Sequence, residues 1–286
     1  MMNFEKLFDG MELRDMGRES FYALHKRTSD KKFNDAVMMA DILYQRGDDV
    51  FCPFLDKLAE QEGVSSEVMN LYLYLRKGEK LLDEYKRRGY DEAVFYDSMR
   101  AISVACRNNY EKKGIYGVTQ PTHRIWFRRL FACAMFRFGR LEFEPYLSEF
   151  DVEIDGKKVS KGDLCIKTHI PRFESFNEEL CEDSYSRARE FFKKHFGIED
   201  VFIFCSSWLI HPWLSECLRP DSTIVNFQSK YKILTVTESP DSVIGWIYPQ
   251  KCENIDDYPE QTSLQRIAKE RLKKGLPLGT AMGVRL

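Results

Sequence analysis

From residue 17 to residue 110 the apolar positions recur every three or four residues. That is the spacing of helices that bury one face. After Ser65, the residues Val68, Leu71, Tyr72 and Leu75 fall at i, i+3, i+4 and i+7. Phe95, Met99, Ile102 and Cys106 keep the same spacing. Gly47, Gly63, Gly89 and Gly114 follow such runs, where glycine closes a helix in the left-handed conformation. The Met and Tyr residues on these faces read as core rather than as the lining of a ligand site. Strand-like alternation is missing here, so the pattern predicts an all-helical domain.

Residues 111–121 carry two glycines and a proline without helical spacing and read as a linker. A helix is expected next, with Thr122 as its cap just after Pro121. Phe127, Leu130, Phe131, Ala134 and Phe138 would form its apolar face, and Gly139 its end. Beyond Gly139 the period becomes two. Leu141, Phe143 and Tyr146 suggest a strand interrupted by Pro145. Phe150, Val152 and Ile154 alternate up to Asp155-Gly156, a pair that favours a tight hairpin turn, with Val159 on the return strand. Leu164, Ile166, Thr168 and Ile170 form one face of a third strand, and Cys165, Lys167 and His169 the other; Pro171 ends it. A helix is expected from a cap at Ser184 to Gly197, with Tyr185, Ala188, Phe192 and His195 on one face. Val201 to Phe204 reads as a buried strand, followed by a helix, and 230–237 as another strand. A last helix runs from Thr262 or Ser263 to Gly275, and 276–286 is a candidate final strand. The fold class is therefore α+β: a helical N-terminal domain (residues 1–115), then a mixed-sheet domain with flanking helices (116–286).

Composition narrows the function classes. The 286 residues are 43% hydrophobic and 31% charged, which excludes a disordered chain. Apolar runs stay well short of the roughly 20 residues that span a membrane. The first residues show no basic region followed by an apolar core, so no signal peptide is expected. A net charge of −2 argues against bulk binding of nucleic acid. The eight cysteines show no C-x2-C or C-x4-C pair, so no metal is expected. Together these features imply a reduced, cytoplasmic protein without membrane or nucleic-acid partners.

Few residues promise chemistry, because the common phosphate, metal-protease and nucleophile-elbow motifs are absent. Cys205-Ser206-Ser207-Trp208 follows the buried strand, at an end where α/β sheets often hold ligands. Cys205 is either a thiol nucleophile with His169 as its base, or a packed core residue. Ser207 is either a site hydroxyl or the cap of the next helix. His169 is either a general base at a strand end or a satisfied buried histidine. Arg124 and Arg128, one turn apart, could clamp a phosphate or carboxylate, or pair with Glu142 and Glu144.

The stretches WFRRLFACAMFRFGRLEFE (126–144), IKTHIP (166–171), SYSRAREFF (184–192), FCSSWLIHPWL (204–214) and TSLQR (262–266) resemble a bacterial family of acyltransferase-domain proteins. Its members join an N-acyltransferase N-terminal helical domain to a GNAT-like C-terminal domain. The resemblance implies transfer of an acyl group from an acyl-CoA co-substrate, with acetyl-CoA the first candidate, to a small-molecule or peptide amine. It places acyl-CoA between the strand ending at His169 and the strand ending at Phe204. It implies His169 as base, Tyr231 or Ser207 as proton donor, Cys205 beside them, and cofactor contacts at Ile170, Arg172 and Ser184. One departure stands out. The family type carries a glycine-rich pyrophosphate loop, and here RFESFNEELCEDS (172–184) has no glycine and five acids. Carboxylates there would repel a pyrophosphate. The competing reading is a non-catalytic ligand-binding protein that keeps the fold.

Overall fold

The computed structural model describes residues 3–119, 122–199, 201–248 and 250–286. Pro121 and the side chains of Thr122 and His123, on which the expected start of the long helix rests, lie outside the described residues. The chain divides into two compact units, residues 1–142 with 171–173, and residues 143–170 with 174–286. The limit expected at residue 115 falls just past the end of the sixth helix; the unit division falls in the second strand.

The first unit is helical: α1 (Phe4–Gly10), α2 (Asp15–His25), α3 (Lys31–Arg46), α4 (Phe51–Gln61), α5 (Ser66–Arg88), α6 (Glu92–Lys113) and α7 (Thr122–Phe131). Ser65 caps α5 by accepting from the Val68 amide, and Gly47, Gly89 and Gly114 close α3, α5 and α6 with φ near 70°. The helices bury long aromatic side chains, Tyr44, Tyr72, Tyr74, Tyr85 and Phe95 among them. Arg124 and Arg128 are not an anion clamp. Arg124 Nη1 donates to the Asp48 carbonyl and Arg128 Nη2 to the Gln45 carbonyl, so both cover the C-terminal end of α3.

The helix expected to reach Phe138 stops at Phe131. Cys133 adopts φ 53°, and the amides of Cys133 and Ala134 return to the carbonyls of Leu130 and Arg129. Phe136–Phe138 is instead strand β1, followed by β2 (Leu141–Leu147), which runs through Pro145 without a break. The spacing of Ala134 and Phe138 fitted a helix, but Phe136 and Phe138 fit a strand as well, and sheet pairing decided.

The second unit continues with β3 (Val152–Ile154), β4 (Lys157–Val159), β5 (Leu164–His169), α8 (Glu178–Phe196), β6 (Ile203–Ser207), α9 (Trp213–Cys217), α10 (Thr223–Ser229), β7 (Lys232–Glu238), α11 (Pro240–Ile247), α12 (Ser263–Lys273) and β8 (Gly279–Arg285). The main sheet runs β1-β2-β5-β6-β8-β7, and β3-β4 stands apart as a two-stranded hairpin. Asp155 (φ 51°) and Gly156 (φ 78°) make its turn, as their sequence predicts. Three expectations shift. The helix expected from Ser184 starts two turns earlier, where Asn177 accepts from the Leu180 amide. Helices α10 and α11 were not expected. The final strand β8 inserts between β6 and β7, antiparallel to both.

Two cores sandwich this sheet. Phe202, Phe204 and Val284 meet the hairpin residues Val152 and Val159 on one face. Tyr185 of α8 packs on Phe143 on the other, the ring centroids 5.7 Å apart. A third core joins α9, α11 and α12 around Trp213, Val243, Tyr248 and Leu278. Thr262 and Gln265 close the start of α12 as a reciprocal capping box. Among the described residues, no helix is long and apolar enough to cross a membrane.

Candidate active site

Strands β5 and β6 run parallel, paired as Ile166↔Ile203, Lys167↔Phe204 and Thr168↔Cys205. The pairing stops there, although both strands continue to His169 and Ser207. The next donor in the ladder, the Ile170 amide, has no hydrogen-bond partner among the described residues. Half-buried Ile170, exposed Ser206 and half-buried Ser207 thus sit where two parallel strands part at their C-terminal ends. An unpaired amide at such a point can donate to a ligand's carbonyl oxygen.

His169 closes β5 with its ring held by a carboxylate. Its Nε2 lies 2.9 Å from Glu144 Oε1, in side chains 19% and 14% exposed. An ionised carboxylate only accepts, so the ring hydrogen belongs on Nε2 and the basic lone pair on Nδ1. Glu144 comes from β2, two residues before Tyr146, whose ring carries the Lys167 ammonium at 5.3 Å. The sequence signal for Glu144 was its place in an alternating strand, but its expected partners were arginines.

The register separates His169 from the thiol. Residues paired across the ladder share a face, so His169 faces with Lys167 and Phe204, and Cys205 faces the other way with Thr168. Cys205 is fully buried, and burial pushes its thiol up to about 12 despite Lys167 and a hydrogen bond from Tyr231. A thiolate nucleophile paired with His169 is therefore not built here. Ser207 does what a cap does: its Oγ accepts from the Leu209 amide at 3.1 Å.

Tyr231 lies between α10 and β7, on the α8 side of the sheet. Its hydroxyl bonds the Tyr185 hydroxyl in a short contact, and burial raises its pKa well above the ordinary tyrosine value. It is thus held protonated, as a weaker acid than an ordinary tyrosine. Ser184 is buried in α8, with its hydroxyl donating to the Leu180 carbonyl at 2.8 Å, and does not mark the helix start. Arg172 belongs to the first unit, where it donates to Asn108 Oδ1 at 3.1 Å.

The acidic segment before and within α8 is less repulsive than its composition implies. Glu178 pairs with Lys230 at 2.8 Å, Glu182 with Arg285 at 2.9 Å and Asp183 with Arg187 at 3.6 Å. Between α8 and α10 lies a narrow recess of about 10 Å³, enough for one water-sized sphere, lined by Asn177, Glu178, Glu182, Asn226, Phe227 and Lys230. No group of three or more metal-type ligands occurs among the described residues.

Known proteins agree with this architecture. An acyltransferase structure in complex with decanoyl-CoA and teicoplanin is similar over 98% of this chain and 86% of that one, with TM-score 0.75 and 19% identity. A complex with CoA and 10C-teicoplanin gives the same figures. A further acyltransferase structure, with decanoyl-CoA, gives TM-score 0.66 and 17% identity over 99% of both chains. At these identities the likeness shows the fold. Among proteins with curated descriptions, none matches this chain. The model of an N-acyltransferase N-terminal domain matches residues 2–133, and that of a GNAT-like C-terminal domain matches residues 135–285, more than half of the sequence. The chain therefore belongs to the family that joins an N-acyltransferase N-terminal domain to a GNAT-like C-terminal domain.

Proposed function

We propose that this protein moves an acyl group from an acyl-CoA thioester to an amine of a small molecule or peptide. The parting of β5 and β6 just beyond Thr168↔Cys205 carries this reading, because it leaves an unpaired amide beside an oriented histidine. The thioester carbonyl would accept from the Ile170 amide. The amine nitrogen attacks the carbonyl carbon, the C–N bond forms and the C–S bond breaks. His169 takes the amine proton, directly or through a water, and Glu144 steadies the imidazolium. Ser207 returns a proton to the leaving thiolate; Tyr231, expected to share this role, lies on the other face of the sheet from His169. Similar structures hold decanoyl-CoA, octanoyl-CoA and teicoplanin. Acyl chains longer than acetyl therefore belong in the substrate screen, and acetyl-CoA is one member of the series. The eight cysteines, all free, support a reducing compartment, which we take to be the cytoplasm.

Turnover assays with acetyl-, octanoyl- and decanoyl-CoA against amine acceptors test the reading by release of free thiol. Acceptor-dependent thiol release supports it. Its absence, together with tight CoA binding, would leave a binding protein.

That second reading has one observation in its favour. The N-terminus of α8 is already capped by Asn177, and Glu178 and Glu179 occupy its first turn. The helix end that would hold a pyrophosphate thus carries its own acceptors. A thermal melt with CoA separates protein that binds the nucleotide from protein that does not. A ligand at 100 times its Kd adds about 2.7 kcal/mol.

A further inference from the structure

Glu178, Glu182, Tyr185 and Arg189 fall four, three and four residues apart and form one stripe along α8. Both acids on it have their cations. Glu178 holds Lys230, and Glu182 takes Arg285 in a two-pronged contact, both bonds 2.9 Å. Arg189 differs. It is half-buried, and among the described residues its guanidinium has no hydrogen bond or ion pair. Its close neighbour is another cation: the Arg285 guanidinium lies 4.2 Å from the Tyr185 ring centroid, and that of Arg189 lies 6.0 Å from the same ring. Burial and the Arg285 charge pull the pKa of Arg189 below the ordinary arginine value, and Glu182 offsets this only in part. The group stays charged near neutrality all the same.

Two guanidiniums, from α8 and β8, therefore flank Tyr185 with the Glu182 carboxylate, which Arg285 already holds, as their near anion. A half-buried cation without a hydrogen-bonded counterion, next to a like charge, is a cost in the free protein that an anion removes. We propose that Arg189, with Arg285 beside it, binds a phosphate monoester. The planar fork of a guanidinium matches phosphate oxygens in pairs. Arg189 lies about 16 Å along the helix from its first residue, at 1.5 Å per residue.

Two sources supply this chemistry: the 3′-phosphate of CoA itself, which rests on the acyl-CoA reading, or a free phosphate or nucleotide, which does not. Calorimetry on the full chain distinguishes them, with CoA, dephospho-CoA, 3′,5′-ADP and inorganic phosphate titrated into wild type and Arg189→Gln. If the site takes the CoA phosphate, wild type binds CoA roughly ten- to hundredfold more tightly than dephospho-CoA, the range of a lost charged hydrogen bond. Arg189→Gln then erases that ratio and leaves dephospho-CoA unchanged. If it takes a free phosphate, 3′,5′-ADP or phosphate binds in an Arg189-dependent way while CoA and dephospho-CoA stay equal. CoA failing to bind while phosphate binds through Arg189 would overturn the acyl-CoA reading and keep this site. Equal binding of every probe by wild type and Arg189→Gln would overturn the site. The variant breaks no pairing, so its melting temperature should hold. A fall in melting temperature with unchanged binding would mark Arg189 as structural and also overturn the proposal.

Discussion

Each unit holds an acid paired with a base at similar depth, in two different backbone settings. In the helical unit Asp41 of α3 pairs with Lys77 of α5, in side chains 12% and 7% exposed. Lys80 and Gln45 bond the same carboxylate, each at 3.0 Å, and the Lys77 ammonium sits 4.8 Å over Tyr44 and 5.2 Å over Phe131. In the sheet unit Glu144 holds His169 at 2.9 Å. Burial alone does not tell them apart; the backbone around them does. Asp41 and Lys77 stand in mid-helix, where every backbone group is already bonded and no ligand can approach. His169 stands at a strand end where the ladder stops. A sealed pair holds two helices in register, whereas on the proposed reading the pair beside unpaired backbone moves a proton.

This contrast can be broken by experiment. The largest effect is expected from His169→Ala, which should lower turnover roughly 10²–10⁴-fold at saturating substrate with an unchanged urea midpoint. A protein that unfolds more easily but keeps its rate would put both pairs in the structural class. Asp41→Asn is expected to cost about 3–5 kcal/mol of stability, because Lys77 is left buried without its counterion. Turnover per folded molecule should not change; a selective loss of rate would overturn the division. Burial alone would raise the Asp41 carboxyl, but Lys77 and Lys80 outweigh it and hold its pKa below the ordinary aspartate value of 3.8. A group depressed in the folded state stabilises above its unfolded pKa and loses this as pH falls through the folded one. The gap between wild type and Asp41→Asn in urea melts should therefore be full at pH 7 and narrow below about pH 3.8. A gap independent of pH would deny the ionic origin.

Glu144→Gln should slow turnover by roughly 10–150-fold, the worth of about 1.5–3 kcal/mol for a hydrogen bond to a charged group. Equal stability losses from this variant and Asp41→Asn, with no change in rate, would erase the distinction. The smallest effect is expected at Cys205. With its thiol raised to about 12 and facing away from His169, it should resist iodoacetamide at neutral pH in the folded state. Cys205→Ala should keep its rate. Fast labelling that abolishes turnover would restore a thiol mechanism.

Features set by neighbours in sequence were legible before the structure was known. Asp155-Gly156 makes its turn because both residues tolerate positive φ. The glycines after α3, α5 and α6 close their helices for the same reason. Thr262 with Gln265 spells out a cap within four residues. Misplaced features were those where two local patterns fit equally well. Asn177 and Ser184 both look like caps, and Asn177 won because Ser184 was needed inside the packed face of α8. Helix α11 has a local signal of its own, Pro240 at its start and Val243, Ile244 and Ile247 on one side.

By itself the sequence determined the division into a helical half and a mixed-sheet half, most helix ends, the hairpin turn and the presence of His169 on one face of its strand. Those follow from periodicity and backbone preference, which act over a few residues. Only the tertiary structure decided that β5 and β6 are parallel and part after Thr168↔Cys205, that Glu144 and not an arginine answers His169, and that Cys205 looks the other way. It also decided that Arg285, at the far end of the chain, lies beside Arg189 with only one carboxylate between them. Strand order and register join residues far apart in sequence, and no local propensity encodes which of them will meet.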